Sequence, residues 1–90
     1  MTDKTYDARP DVEIPLDFPV TVDGEQYTRL KIRRPKTKDG LLAARRQGSE
    51  AERSIFLFAM LCNVAPAVIE ELDEVDAAKL TKQYEAFKSR

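Results

Sequence analysis

Few residues in this chain are of a type that does covalent or acid–base chemistry, and they form no catalytic pattern. There is no His, and there is a single Cys, Cys62. A Ser or Cys nucleophile normally needs an adjacent base, most often His, so nucleophilic catalysis has nothing to run on. Cys62 lies inside the apolar run Ile55 to Cys62 and reads as a small core residue. The densest acidic cluster is Glu70, Glu71, Asp73, Glu74 and Asp76. It lacks the spacing and the glycine of a Ca²⁺ loop, and Asp73 and Asp76 stand where they would cap a helix. No glycine-rich loop is present to cradle phosphate. These residues call for no metal and no cofactor, and the chain reads as a non-enzyme.

The basic residues pose a separate question. Arg29, Lys31, Arg33, Arg34, Lys36 and Lys38 follow one another closely, with Tyr27 on the strand face of the first three. A charged strand carrying an aromatic is one ingredient of single-strand nucleic-acid binding. One tyrosine makes a poor stacking platform, however, and 16 Asp and Glu offset 15 Lys and Arg, for a net charge of −1. A solvated outer face is the weightier reading, and a nucleic-acid-binding regulator stays as the alternative. The balance of charge hides an asymmetry. Arg29 to Arg46 holds eight basic residues and one acidic, and Glu50 to Asp76 holds seven acidic and one basic. A chain so divided can pair its own halves, stack head to tail, or show two faces to partners.

The elements that position these residues follow from periodicity and punctuation. Residues 1–12 are polar and aperiodic, as in a disordered tail, and residues 13–90 read as one α+β domain. Ile14, Leu16, Phe18, Val20 and Val22 alternate with polar residues or proline, the period of a half-buried strand. Asp23-Gly24 signals a turn into a second strand ending near Arg34, giving a hairpin over 14–34. A three-residue turn, Asp23 to Glu25, pairs Val20 with Thr28, Phe18 with Leu30 and Leu16 with Ile32, keeping one face apolar and setting Asp17 opposite Lys31. Pro15 and Pro19 share a parity and close one edge of the sheet. The edge along Arg29 to Arg33 stays open to a partner's strand.

Helices are expected at about 38–47, 50–63, 66–72 and 74–88, so the hairpin is followed by a small bundle of three to four helices. Thr37 caps the first and Gly48 stops it. Ser49 with Glu52 forms a capping box for the second. Pro66 suits a first helical position, and Asp73 with Asp76 caps the last. The second helix organises the rest, because a helix apolar nearly all round must be buried nearly all round. It is too short to span a bilayer. A chain of 90 residues buries only somewhat over 60% of its unfolded surface, which leaves room for a partner or for self-association. The residues after Met1 show no hydrophobic segment or cleavage pattern, and one lone Cys fits a reducing compartment, so a cytosolic location is expected.

The order and wording of these segments resemble the small tail assembly chaperones of contractile-tailed phages and prophages, from about Ile14 to Phe87. The most telling pieces are Arg34-Pro35-Lys36-Thr37-Lys38-Asp39 and Leu72-Asp73-Glu74-Val75-Asp76, in this order around an apolar helix. Members often end on Phe-Leu, whereas here Phe87 precedes Lys88-Ser89-Arg90. The resemblance implies a non-catalytic protein of the host cytoplasm, absent from the finished virion. It implies binding to the tape measure protein, assistance in gathering tail tube subunits, and in many phages a longer frameshifted form of the same chain. No catalytic residue carries over.

A helix of a tape measure protein exposes apolar stripes that would aggregate, and a chaperone must offer a complementary groove. The residues expected to line it are Phe56, Leu57, Met60 and Leu61. Arg29, Lys31 and Arg33 are the charged contacts, and a homo-oligomer is a further possibility. A structural protein that stays in the particle is the other alternative.

Overall fold

The computed structural model describes residues 11–89; most of the tail expected over residues 1–12 lies outside them. Two strands, β1 (Val12–Val22) and β2 (Glu25–Ile32), form an antiparallel hairpin. Four helices follow: α1 (Thr37–Arg45), α2 (Glu50–Cys62), α3 (Pro66–Glu71) and α4 (Glu74–Lys88). This is the expected α+β architecture. The hairpin begins two residues earlier than the alternation suggested, at Val12.

The hairpin's register differs from the expected one. The turn has two residues, not three: Val22 pairs with Glu25, and Asp23 and Gly24 have φ of +51° and +81°. Positive φ at both central positions is what a type I′ turn requires. From the turn the ladder runs through Val20 opposite Tyr27. Beyond a bulge it resumes at Pro15 opposite Arg29 and ends at Val12 opposite Ile32. Between these stretches β1 has four residues, Leu16 to Pro19, where β2 has only Thr28.

The expected pairs Val20–Thr28, Phe18–Leu30 and Leu16–Ile32 therefore do not form. A regular ladder would have forced a choice between the favoured turn and an unmixed apolar face. The bulge satisfies both, because three extra residues on β1 shift the parity of pairing. Tyr27 near the turn and Leu30 and Ile32 beyond it thus reach one core, although they differ in parity along β2. Lys31 lies opposite Glu13, and Asp17 binds Lys79 of α4 at 2.8 Å instead.

Helix boundaries follow local signals closely. Ser49 caps α2, accepting the Glu52 N–H at 3.1 Å while the Glu52 carboxylate takes the Ser49 N–H at 2.7 Å. A Cβ on Gly48 would stand 2.6 Å from that carboxylate, so glycine makes room for the box; the preceding helix has already ended at Arg45, with Arg46 and not Gly48 as its C-cap. Asn63, with φ of +56°, ends α2, and the Val64 N–H closes onto the Ala59 carbonyl. Pro66 opens α3 and Asp73 caps α4 through the Val75 N–H. The first helix departs from expectation. Lys36, not Thr37, is its N-cap, and the Asp39 carboxylate accepts the Lys36 N–H at 2.8 Å.

The core joins hairpin and helices. Ile14, Leu16, Leu30 and Ile32 meet Ala59, Leu61 and Cys62 of α2, Val68 and Ile69 of α3, Leu72, and Leu80 of α4. Phe58 of α2 and Tyr84 of α4 stack edge to face at 5.8 Å. Leu61 ties α2 to the sheet by its backbone too, its carbonyl accepting the Arg33 N–H at 3.1 Å. That carbonyl belongs to the last turn, where a helix leaves its acceptors unpaired.

Candidate partner-binding surface

The expectation that α2 is wrapped on all sides fails in an informative way. Of its apolar residues only Ala59, Leu61 and Cys62 are buried; Ile55, Phe56, Leu57, Phe58 and Met60 are all partly exposed. The four residues expected to line a groove divide into two pairs, each one helical turn apart. Leu57 packs on the core and Leu61, at 2% exposure, is part of it. Leu61 is therefore mostly core, and its remaining surface lies in a second groove with Met60 and Lys31. Phe56 and Met60 point elsewhere. Together with Ala59, Asn63, Val64, Ala65 and Pro66 they line a groove of about 410 Å³. The guanidinium of Arg46 lies 4.3 Å from the centre of the Phe56 ring, within the range of a cation–π contact.

Sequence reasoning missed the second wall of this groove, Val64 to Pro66. The available signal was an interhelical connection too short to let α3 leave the end of α2.

The basic residues are mostly engaged within the fold. Arg29 pairs with Glu13 at 3.0 Å across the hairpin, on the surface. Arg33 makes a two-pronged contact to the Asp39 carboxylate, at 2.8 and 2.9 Å. Asp39 is 2% exposed. The Arg33 hydrogen bonds, against the opposing effect of burial and with help from the Lys36 N–H, hold its carboxyl below the usual range. Arg33 is thus a structural cation tying the end of β2 to α1. Arg34 donates to the Phe87 carbonyl at 3.2 Å, anchoring the C-terminal turn of α4.

Lys31, like Lys38, has no ion pair among the described residues. It lines a second groove with Asp11, Arg33, Met60 and Asn63. Tyr27, expected beside the basic residues on the outer face, packs against the core instead, and the stacking platform goes with it.

The acidic cluster also disperses. Asp73 is a cap, while Glu70, Glu71 and Glu74 are exposed. Asp76, expected to close a capping box with Asp73, turns inward and is fully buried. Its two oxygens accept the backbone N–H groups of Asp17 and Phe18 at 2.8 and 3.0 Å. The Lys79 ammonium lies 3.2 Å away and also bonds the Pro15 carbonyl. Burial works to raise the Asp76 pKa, yet the two N–H donors and Lys79 bring it below the ordinary carboxylate value. Among the described residues no group of three or more His, Cys, Asp or Glu could hold a metal ion. The Cys62 thiol is buried and its pKa is pushed up to about 12 by that burial, so it is a poor nucleophile at neutral pH.

Among the described residues the surface therefore offers apolar grooves beside α2. Residues 13–89 match the family described as phage tail assembly chaperone proteins, E, or 41 or 14. The chain belongs to this family. No curated protein and no solved structure matches it significantly. Membership gives this tail assembly chaperone a general role in tail assembly with protein partners. No described helix of the chaperone is long and apolar enough to cross a membrane.

Proposed function

We propose that the chain is a non-catalytic chaperone of the host cytoplasm, outside the finished virion, that binds an apolar helical segment of the tape measure protein. The observation that carries this is the divided surface of α2. Leu57 and Leu61 face the core, while Phe56 and Met60 line a groove that none of the described residues fills. A helix presenting apolar residues one turn apart meets a surface of this kind by laying its stripe along it. Methionine adapts to whatever side chain arrives, which suits a client with many non-identical stripes. Gathering of tail tube subunits follows from the same family role and has no surface assigned to it.

Co-expression with the tape measure protein tests the reading. The chaperone should keep it soluble and co-purify with it, and charge placed at Phe56 and Met60 should abolish both effects. A client equally soluble with the doubly charged variant would sink the groove assignment.

A further inference from the structure

The two outer edges of the hairpin end differently. Along β1 the edge is covered by α4. Pro15 has no N–H to offer, its carbonyl accepts the Lys79 ammonium at 2.8 Å, and the Asp17 and Phe18 N–H groups end on Asp76. Along β2 the cover is partial. Just past the strand, the Arg33 N–H reaches the Leu61 carbonyl at 3.1 Å. The backbone groups of a strand alternate from side to side. Pro15, opposite Arg29, turns away from β2 toward Lys79, and Arg33 turns away from β1 toward Leu61. Arg29 and Lys31 fall on the same alternation, so their N–H and C=O groups face outward. Among the described residues no hydrogen bond meets them there.

The surroundings of this open stretch say what would complete it. A groove of about 580 Å³ runs between β2 and the end of α2, with Lys31 and Arg33 on one wall and Met60, Leu61 and Cys62 on the other. Lys31 is exposed and has no ion pair among the described residues. Arg29 is 64% exposed, and its pair with Glu13 lies on the surface, where such pairs hold weakly. The Leu61 carbonyl already supplies this edge with one acceptor from outside the sheet. The next acceptor and donor have to come from elsewhere.

We infer that the open edge of β2 takes an extended, acidic segment of another protein as a third strand, bonded to the backbone of Arg29 and Lys31. Main-chain hydrogen bonds at ladder spacing hold such a segment, and the side chains beside them select it. Side chains of a strand alternate between its faces. Those on the Lys31 face fall among cations and are carboxylates; those between turn to the wall made by Met60 and Leu61 and are apolar. With β1 covered by α4, the sheet grows on one side only. The contact is distinct from a helix lying beside Phe56 and does not rest on the tape measure reading, so the two fail separately.

The test is amide hydrogen exchange, read by NMR on the full chain, with a short synthetic peptide of alternating Val and Glu as probe. A peptide of alternating Val and Lys is the control. The acidic peptide should slow exchange of the Arg29 and Lys31 amides by about tenfold or more at saturation, leaving the Leu30 amide, already in the ladder, as it was. Lys31→Glu should weaken its binding by about tenfold and turn the preference to the basic peptide. Lys31→Pro removes the outward N–H and spares the ladder, as Pro15 does on β1, and should abolish binding. Circular dichroism checks that both variants stay folded; should the proline variant unfold, the charge reversal and the exchange pattern still decide. No slowing at millimolar peptide, equal slowing by the basic peptide, or binding indifferent to both substitutions would each overturn the inference. So would Arg29 and Lys31 amides protected in the chain alone and released by dilution or by removal of residues 1–10, which would give the edge to a second copy or to the chain's own start.

Discussion

The carboxylate of Asp76, on the first turn of α4, accepts the backbone N–H of Phe18 at 3.0 Å across 58 residues of sequence. With the Asp17 N–H bonded to the other oxygen, it gathers donors that the bulge in β1 has released from the ladder. A bulge leaves backbone groups unpaired, and a buried anion is an unusually strong acceptor. Each feature would be costly alone; together they lock hairpin to helix.

Asp76→Asn should therefore destabilise the fold by about 2–4 kcal/mol, since an amide offers one acceptor where two donors arrive. Urea unfolding at neutral pH measures it. The Asp76 pKa is depressed in the folded state, so its contribution is present above the unfolded value of about 3.9 and lost as pH falls through the folded pKa. The gap between wild type and Asp76→Asn should narrow on acidification. A gap constant down to strongly acidic pH would contradict this.

Arg33 and Lys31 look equivalent in sequence and should behave differently. Arg33→Ala leaves the Asp39 carboxylate buried with one backbone donor, at a cost of about 2–3 kcal/mol. That is short of the ~3–5 of a fully enclosed pair because the Arg33 side chain is 39% exposed. Lys31→Ala should change stability by no more than about 0.5 kcal/mol. A double-mutant cycle of Arg33 with Asp39 should show coupling; additive losses would remove the ion pair from the account.

The two halves of the α2 surface should separate by assay. Leu61→Ala should cost about 2–5 kcal/mol in thermal or urea unfolding, the range for a buried leucine. Phe56→Glu with Met60→Glu should keep the secondary structure and lose the solubilised client. If both changes unfold the chain equally, the outward half of α2 is core after all.

Cys62 should resist a thiol reagent in the native chain at neutral pH and react at once in urea. Burial both shields its sulfur and keeps it protonated. Rapid native labelling would show that the end of α2 opens.

Much was legible in the sequence because its causes are local. Ser49 and Glu52 cap a helix, Pro66 starts one and Asp73 caps another by interactions within a few residues. Periodicity then places Val68, Ile69, Leu72 and Leu80 in the core, where they lie. Element order, fold class and family resemblance follow from the same short-range information.

The tertiary structure decided the matters settled by groups far apart in the chain. The hairpin's register depended on a bulge, and the bulge on an acceptor from α4 for its freed N–H groups. Arg33 and Asp76 read locally as a surface cation and a cap; burial made one the partner of Asp39 and the other an anchor for β1. The apolar run of α2 showed that something must cover it, without showing which half the chain covers itself. That depended on where the sheet and α3 came to lie, since residues one turn apart on a helix share a side, Phe56 with Met60 on one and Leu57 with Leu61 on another.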